Sequence, residues 1–365
     1  MRYHWYWPFA RPEELGWAAA TARPGDSVVV QVIDRPHAPP AGRLGQVTVV
    51  RDLPDVQRDV HPLLWAPSRA RTYWGRAAAR REAWRTGDFD LVHLHYLNRF
   101  TDSVVPLPTP VVLSVHDVVP HQPRLGRVEH QVLRRLYQRG DGLVVHHEDL
   151  AARLVAEFDV DPDRVHVVQH QVFPAPPAGA PPADEPPTIL FFGAMRRNKG
   201  LPVLVEAFSR LSGLDARLVI AGRGDRDVEQ VAEEAAARDP RVIAEIGFVT
   251  LQRKQELFAH ASLVALPYTE FASQSGVLHD AYGHGRPVVV TEVGALGRSV
   301  REDGTGLVAA PADPASLADQ ITAALEPTTW RGLAAATERV RADRSPERTG
   351  ERLREVYDTV LAATT

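Results

Sequence analysis

The stretch that decides the fold is Phe191-Phe192-Gly193-Ala194-Met195-Arg196-Arg197-Asn198-Lys199-Gly200, read together with Gln274-Ser275-Gly276-Val277-Leu278-His279-Asp280. Each follows an apolar run of the kind that forms a buried strand, and each opens into a helical pattern. The first wall supplies cations. Lys199 is a compact charge suited to phosphate oxygens, and Arg196 or Arg197 offers a forked contact. The second wall supplies a glycine at a helix start, where backbone N–H groups point at whatever docks there. The dipole at that end favours an anion by roughly 0.3–2 kcal/mol. Ser275 can cap the helix or donate its hydroxyl, and Gly276 lets backbone approach a phosphate without a Cβ in the way. Asp280, about one turn further in, faces the same way as an acceptor for ribose hydroxyls. A diphosphate fits both walls, and a nucleotide-sugar enzyme becomes the leading reading.

Outward from these walls the chain alternates between short β-branched runs and longer helical patterns. In the first half the strand candidates are Val28 to Ile33, Val47 to Val50, Leu91 to His95, Val111 to Val115, Gly142 to His146 and Val165 to Val168. Helical patterns cover Ala66 to Trp84, Val128 to Arg139 and Asp149 to Phe158. In the second half, strands at Thr188 to Phe192, Arg217 to Ala221, Val242 to Ile246, Leu263 to Leu266 and Pro287 to Thr291 alternate with further helices. Such alternation predicts parallel sheets covered on both faces. Pro174 to Pro187, rich in Pro, Ala and Gly, reads as a linker. The expected organisation is therefore a first doubly wound domain over 1–173, a linker over 174–187 and a second such domain over 188–345. A last helix within 346–365 crosses back to the first. In this α/β architecture ligands sit at the carboxyl ends of the strands.

Composition narrows the function. At 365 residues the chain exceeds one ordinary core. A net charge of −4 gives no basic field for nucleic acid. There are no cysteines, which excludes disulfides and thiolate metal sites and fits a reducing compartment. The N-terminus has no long apolar region of the signal-peptide kind, and no stretch approaches the roughly 20 apolar residues of a membrane span. A cytoplasmic location is the expectation. No two of the fifteen histidines stand four apart on a helical stretch, as a helical metal site would need, so no metal is assigned.

His116 follows the run Val111-Val112-Leu113-Ser114-Val115 and stands at a strand tip, where a histidine can hydrogen-bond a substrate or share a proton. A structural histidine with a backbone partner is the plainer reading, and His93, His95, His146 and His147 nearby keep it alive. Asp159-Val160-Asp161 and Asp88-Phe89-Asp90 resemble short acidic metal motifs but lie in polar turns, where solvation accounts for them. Gly222-Arg223-Gly224 lacks the third glycine of a dinucleotide fingerprint. Ala66 to Arg85 carries six arginines and one glutamate among Tyr73, Trp74 and Trp84. It reads as a solvated helix that is also compatible with peripheral contact to an acidic membrane surface or anionic acceptor.

Taken together, these residues resemble the retaining glycosyltransferases of family 4, whose GT-B architecture has two Rossmann-like domains facing a central cleft. The similarity covers nearly all of Asp90 to Leu325. It is carried by Phe191 through Leu201, Leu218-Val219-Ile220-Ala221-Gly222, Ser275 through Val290, Val293-Gly294-Ala295-Leu296, Val115-His116-Asp117 and Asp163 through His170. The resemblance implies that Lys199 and an arginine hold the donor diphosphate with Ser275, Gly276 and Val277. It implies that Asp280 binds the donor ribose and that His116 lies by the transferred sugar. In such enzymes the leaving phosphate helps deprotonate the acceptor, so no glycosidase-type carboxylate pair is needed. The chain departs from the pattern at three places. Ala194 stands where the family has arginine, leaving that charge to Arg196. Ala272 stands at the earlier of two glutamate positions, with Glu270 and Gln274 nearby as candidate donor-sugar contacts. Trp5-Tyr6-Trp7-Pro8-Phe9 replaces a glycine-rich turn.

The expected activity is transfer of a hexose-type sugar from a UDP or GDP sugar to an acceptor hydroxyl with retention of configuration. The acceptor is a small natural product or a lipid-linked saccharide. The nucleotide sugar is a substrate, and no cofactor or metal is called for. The alternative is a relative that has lost catalytic contacts and acts as a binding or scaffold subunit, a reading that Ala194 and Ala272 favour. An epimerase of the same architecture would need acids and bases that the sequence does not display.

Overall fold

The structure, a computed structural model, describes residues 1–56, 65–118, 126–172, 175, 186–270 and 275–364. The chain divides into two compact units, Met1–Gln171 with Pro346–Thr365, and Val172–Ser345. Most of the expected linker, residues 174 and 176–185, lies outside the described residues.

In the first unit the strands are β1 (Arg2–Tyr6), β2 (Ser27–Ile33), β3 (Gly42–Leu44), β4 (Val47–Leu53), β5 (Leu91–Leu94), β6 (Val111–Ser114), β7 (Gly142–Val145) and β8 (Val165–Val167). The helices are α1 (Leu15–Ala20), α2 (Trp65–Thr86), α3 (Arg127–Tyr137) and α4 (Glu148–Phe158). The strand order is β3-β4-β2-β1-β5-β6-β7-β8. Every pairing is parallel except β3 with β4. Every residue of β5, β6 and β7 is buried, as β-branched strands sandwiched between helical layers must be. The order reverses at β1, so the connections after β1 and β5 leave in opposite directions and open a crevice at their carboxyl ends.

In the second unit the strands are β9 (Thr188–Met195), β10 (Arg217–Gly224), β11 (Val242–Ile246), β12 (Leu263–Leu266), β13 (Val288–Thr291) and β14 (Gly306–Ala309). The helices are α5 (Leu201–Ser209), α6 (Arg226–Arg238), α7 (Leu251–His260), α8 (Gly276–Gly283), α9 (Leu296–Asp303), α10 (Pro314–Leu325) and α11 (Pro327–Asp343). The order β11-β10-β9-β12-β13-β14 is wholly parallel and reverses between β9 and β12. Two apolar layers cover its faces. One includes Phe191, Leu204, Phe208 and Ile220, the other Leu190, Phe258, Leu266 and Tyr282. The glycines of Gly222-Arg223-Gly224 serve close strand approach: Gly222 pairs with Gly193, and a Cβ on it would overlap the Gly193 carbonyl.

The last helix, α12 (Pro346–Thr364), belongs to the first unit. Arg354 anchors it by pairing with Asp26 at 2.6 Å and donating to the carbonyl of Thr21 at 2.9 Å. Gly350 lies against Ala20 of α1 with no room for a Cβ.

Candidate functional site

The reversal between β9 and β12 places the two walls beside each other. After β9 the chain makes a 3-10 turn over Arg197–Lys199, and Gly200 takes a left-handed conformation with φ +69°. A Cβ on Gly200 would overlap the carbonyl of Pro267, so glycine lets this loop lie directly on the segment leaving β12. Hydrogen bonds then stitch the two loops together. Thr269 N donates to the Asn198 carbonyl at 3.0 Å, and Asn198 Nδ2 donates to the Glu270 carbonyl at 3.2 Å. At the strand tip, Gly193 has φ +107°, and an added Cβ would stand 3.3 Å from Val277 Cγ2 in the first turn of α8.

Tyr268 joins the cation to the helix tip. Lys199 Nζ sits 3.7 Å from the centre of its ring, and its hydroxyl lies 2.8 Å from Ser275 Oγ. Burial pushes the Tyr268 hydroxyl up to about 12, so it stays neutral. Ser275 is the residue preceding α8, but its side chain makes no cap bond to the helix. Its hydroxyl serves Tyr268 instead, which leaves the first-turn amides of α8 for another acceptor. Lys199 is pushed down to about 8, first by burial and then by the Arg196 charge. Arg196 is exposed, while Arg197 is tied to Asp227 at 2.8 Å. Arg196 is therefore the arginine whose charge converges with Lys199.

Asp280 is buried on α8, and its Oδ1 accepts from Lys254 Nζ of α7 at 2.7 Å. Its carboxylate is thus half-committed to an internal cation, and any ribose hydroxyl shares it with Lys254. Glu270 carries an exposed side chain beside the stitched loops. Gln274, with Ala272, lies outside the described residues. The sequence reading missed Tyr268 and Lys254 as parts of the site. Tyr268 closes a strand-to-turn sequence and carries the local signal of a strand end, whereas Lys254 lies 26 residues from its partner with no local signal at all.

His116 is in the first unit, two residues beyond β6. Its Nε2 donates to the His95 carbonyl at 2.8 Å, and its Nδ1 lies 3.1 Å from His146 Nε2. Tyr96 stacks on it at 4.9 Å between ring centres. Burial lowers its pKa, opposed by the His95 carbonyl and the Asp117 charge. The backbone-partner reading of this histidine is therefore realised, and its second nitrogen faces other histidines. Behind it, Trp5, Trp7 and Trp17 form an apolar wall in which each ring lies within 6 Å of the other two. In this unit aromatic side chains fill the β1 exit where the family has a glycine-rich turn.

Comparison with known proteins identifies the family and the fold. Residues 186–327 match the family described as glycosyl transferases group 1, and residues 16–172 match glycosyltransferase family 4. A phosphatidyl-myo-inositol mannosyltransferase of Mycobacterium leprae is 30% identical over 268 residues, covering 70% of each chain. A D-inositol 3-phosphate glycosyltransferase of Xylanimonas cellulosilytica is 31% identical over 297 residues, covering 74% of this chain and 66% of that protein's length. Among solved structures, sucrose-phosphate synthase from Thermosynechococcus elongatus aligns with a TM-score of 0.74 at 18% identity, covering 100% of both chains. Anabaena HepE, solved with UDP and glucose, aligns at 0.65 and 16% identity, covering 98% of this chain and 100% of that one. These likenesses are in fold, and the sequence matches set the family. The chain belongs to glycosyltransferase family 4 and is built on the two-domain GT-B fold.

Proposed function

We propose that this glycosyltransferase moves a hexose-type sugar from a nucleoside diphosphate donor, UDP- or GDP-linked, to an acceptor hydroxyl with retention of configuration. The observation that carries the donor class is the Lys199–Tyr268–Ser275 chain, which holds a cation and a helix N-terminus against one another at the strand-order reversal. In this reading Lys199 and Arg196 take the charge that builds on the departing diphosphate. The amides of Gly276 and Val277 donate to its oxygens, with no metal required there. Asp280, oriented by Lys254, accepts from the ribose, and Glu270 and Gln274 serve the sugar. His116, held by the His95 carbonyl, contacts the transferred sugar.

The relatives' names bear on the acceptor. One acts on D-inositol 3-phosphate and another on phosphatidyl-myo-inositol, both hydroxyl-bearing rings carrying a phosphate. A polyhydroxylated acceptor, as a small natural product or a lipid-linked saccharide, suits the present reading. The test is a thermal-shift panel of nucleotide sugars followed by measurement of nucleotide release. One donor should raise the melting temperature by mass action and then release its nucleotide when an acceptor is supplied. Failure of every UDP and GDP sugar to stabilise the protein would overturn the donor assignment.

A further inference from the structure

Four histidines of the first unit, His93, His95, His146 and His170, pack against Trp5, Trp7 or Trp17, and His116 packs against three of them, His95, His146 and His170. Three of them converge further. One ring nitrogen from each of His116, His146 and His170 lies within 4.8 Å of the other two. Among the described residues no other group of histidines and carboxylates meets in this way.

The hydrogen bonds around these rings fix their tautomers. His116 Nε2 lies 2.8 Å from the His95 carbonyl, and His146 Nδ1 lies 2.8 Å from the Val168 carbonyl. A carbonyl only accepts, so both of those nitrogens carry hydrogen. In the neutral rings the lone pairs then fall on His116 Nδ1 and His146 Nε2, the two atoms that face each other at 3.1 Å. Two lone pairs at that distance repel unless a cation lies between or beside them. A proton shared between the two rings is one such cation, and a metal ion bound by both is the other. A metal ion removes the conflict without charging either ring.

We propose that His116, His146 and His170 form a site for one divalent transition-metal ion of the zinc, cobalt or nickel class. Imidazole suits those ions, and each ring already has the support that metal-binding histidines need. The nitrogen remote from the ion donates to a backbone carbonyl, at His95, at Val168 and, for His170 Nδ1, at Gln171 2.9 Å away. The 3.1 Å separation is close to the roughly 3.3 Å edge of a tetrahedron with metal–nitrogen bonds of about 2.0–2.1 Å. The other separations reach no further than 4.8 Å, and His170 would move inward to complete the set. His116 and His170 are each half-buried, which leaves a path for the ion and for a water as fourth ligand. The site shares no residue with the diphosphate walls. Since it engages His116 Nδ1, the nitrogen that the bond to the His95 carbonyl leaves for a sugar, filling it would slow transfer.

The test uses the full chain stripped of metal with a chelator and titrated with Co²⁺, read by its visible d–d absorption, then with Zn²⁺ by calorimetry. The expected result is one equivalent of cobalt with the intense bands of a tetrahedral site, displaced by one equivalent of zinc. His146→Ala and His170→Gln should each weaken zinc binding by at least about tenfold. His166→Ala, on β8 outside the trio, should leave it unchanged. His170→Gln is the variant least exposed to misfolding, and circular dichroism confirms the fold of each. No cobalt bands at one equivalent, or stoichiometric binding that survives both His146→Ala and His170→Gln, would overturn the site, whatever the transfer activity proves to be.

Discussion

Replacing Lys199 tests the diphosphate reading most directly, because its charge is already weakened by the fold. Burial, and then Arg196, push it down to about 8. Below that pH the ammonium is present and attracts the donor; above it the amine is neutral and the attraction is lost. From a pKa of about 8, roughly nine-tenths of the free protein is charged at pH 7 and roughly one-tenth at pH 9. Apparent affinity scales with the competent fraction, so the dissociation constant of a nucleoside diphosphate should rise about tenfold over that range, about 1.4 kcal/mol. Lys199→Met removes the charge at every pH. It should cost about 1.5–3 kcal/mol, the usual size of a charge-assisted hydrogen bond, and flatten the pH profile. Lys199→Arg, charged throughout, should keep affinity at pH 9 better than the native chain. Isothermal titration with UDP and GDP at several pH values measures all three. An affinity that does not change between pH 7 and pH 9, together with native binding by Lys199→Met, would refute the placement of Lys199 on the diphosphate.

Three further outcomes follow from the packing. Gly193→Ala forces a side chain into φ +107° and to within 3.3 Å of Val277, so it should lower stability by about 1–3 kcal/mol in denaturant unfolding and weaken nucleotide binding. Lys254→Met strands the buried Asp280 carboxylate and should destabilise by about 3 kcal/mol, while Lys254→Met combined with Asp280→Leu should recover much of that loss in thermal unfolding. Gly350→Val drives a branched side chain into Ala20 and should loosen α12 from α1, seen as faster proteolysis of the C-terminal segment; native protease resistance would contradict the contact.

The sequence pattern carried the fold because a buried parallel strand must be apolar on both faces. Runs such as Val111–Ser114 and Leu263–Leu266 therefore stand out between amphipathic helices. Elements without that signature were harder to read. The edge strand β3 is fully exposed, and α1 and α9 are six and eight residues long, too short for a clear helical period. Strand β1 was obscured by its composition: Tyr3, Trp5 and Tyr6 make it an aromatic strand without a β-branched residue. Strands β5, β6 and β7 end at Leu94, Ser114 and Val145, one residue short of the expected runs, although the N–H groups of His95 and Val115 still bond to the carbonyls of Tyr6 and Val144.

By itself the sequence determined the alternating α/β class and membership of the glycosyltransferase family, since both rest on local periodicity and on motifs continuous along the chain. Tertiary structure decided which side chains meet. It set Tyr268 between Lys199 and Ser275, gave Lys254 to Asp280, and turned His116 toward His146 and His170. Most of these partners lie tens of residues apart: Lys199 meets Tyr268 because the sheet order reverses between β9 and β12, and the three histidines meet because β6, β7 and β8 lie side by side, and no short-range pattern encodes that order.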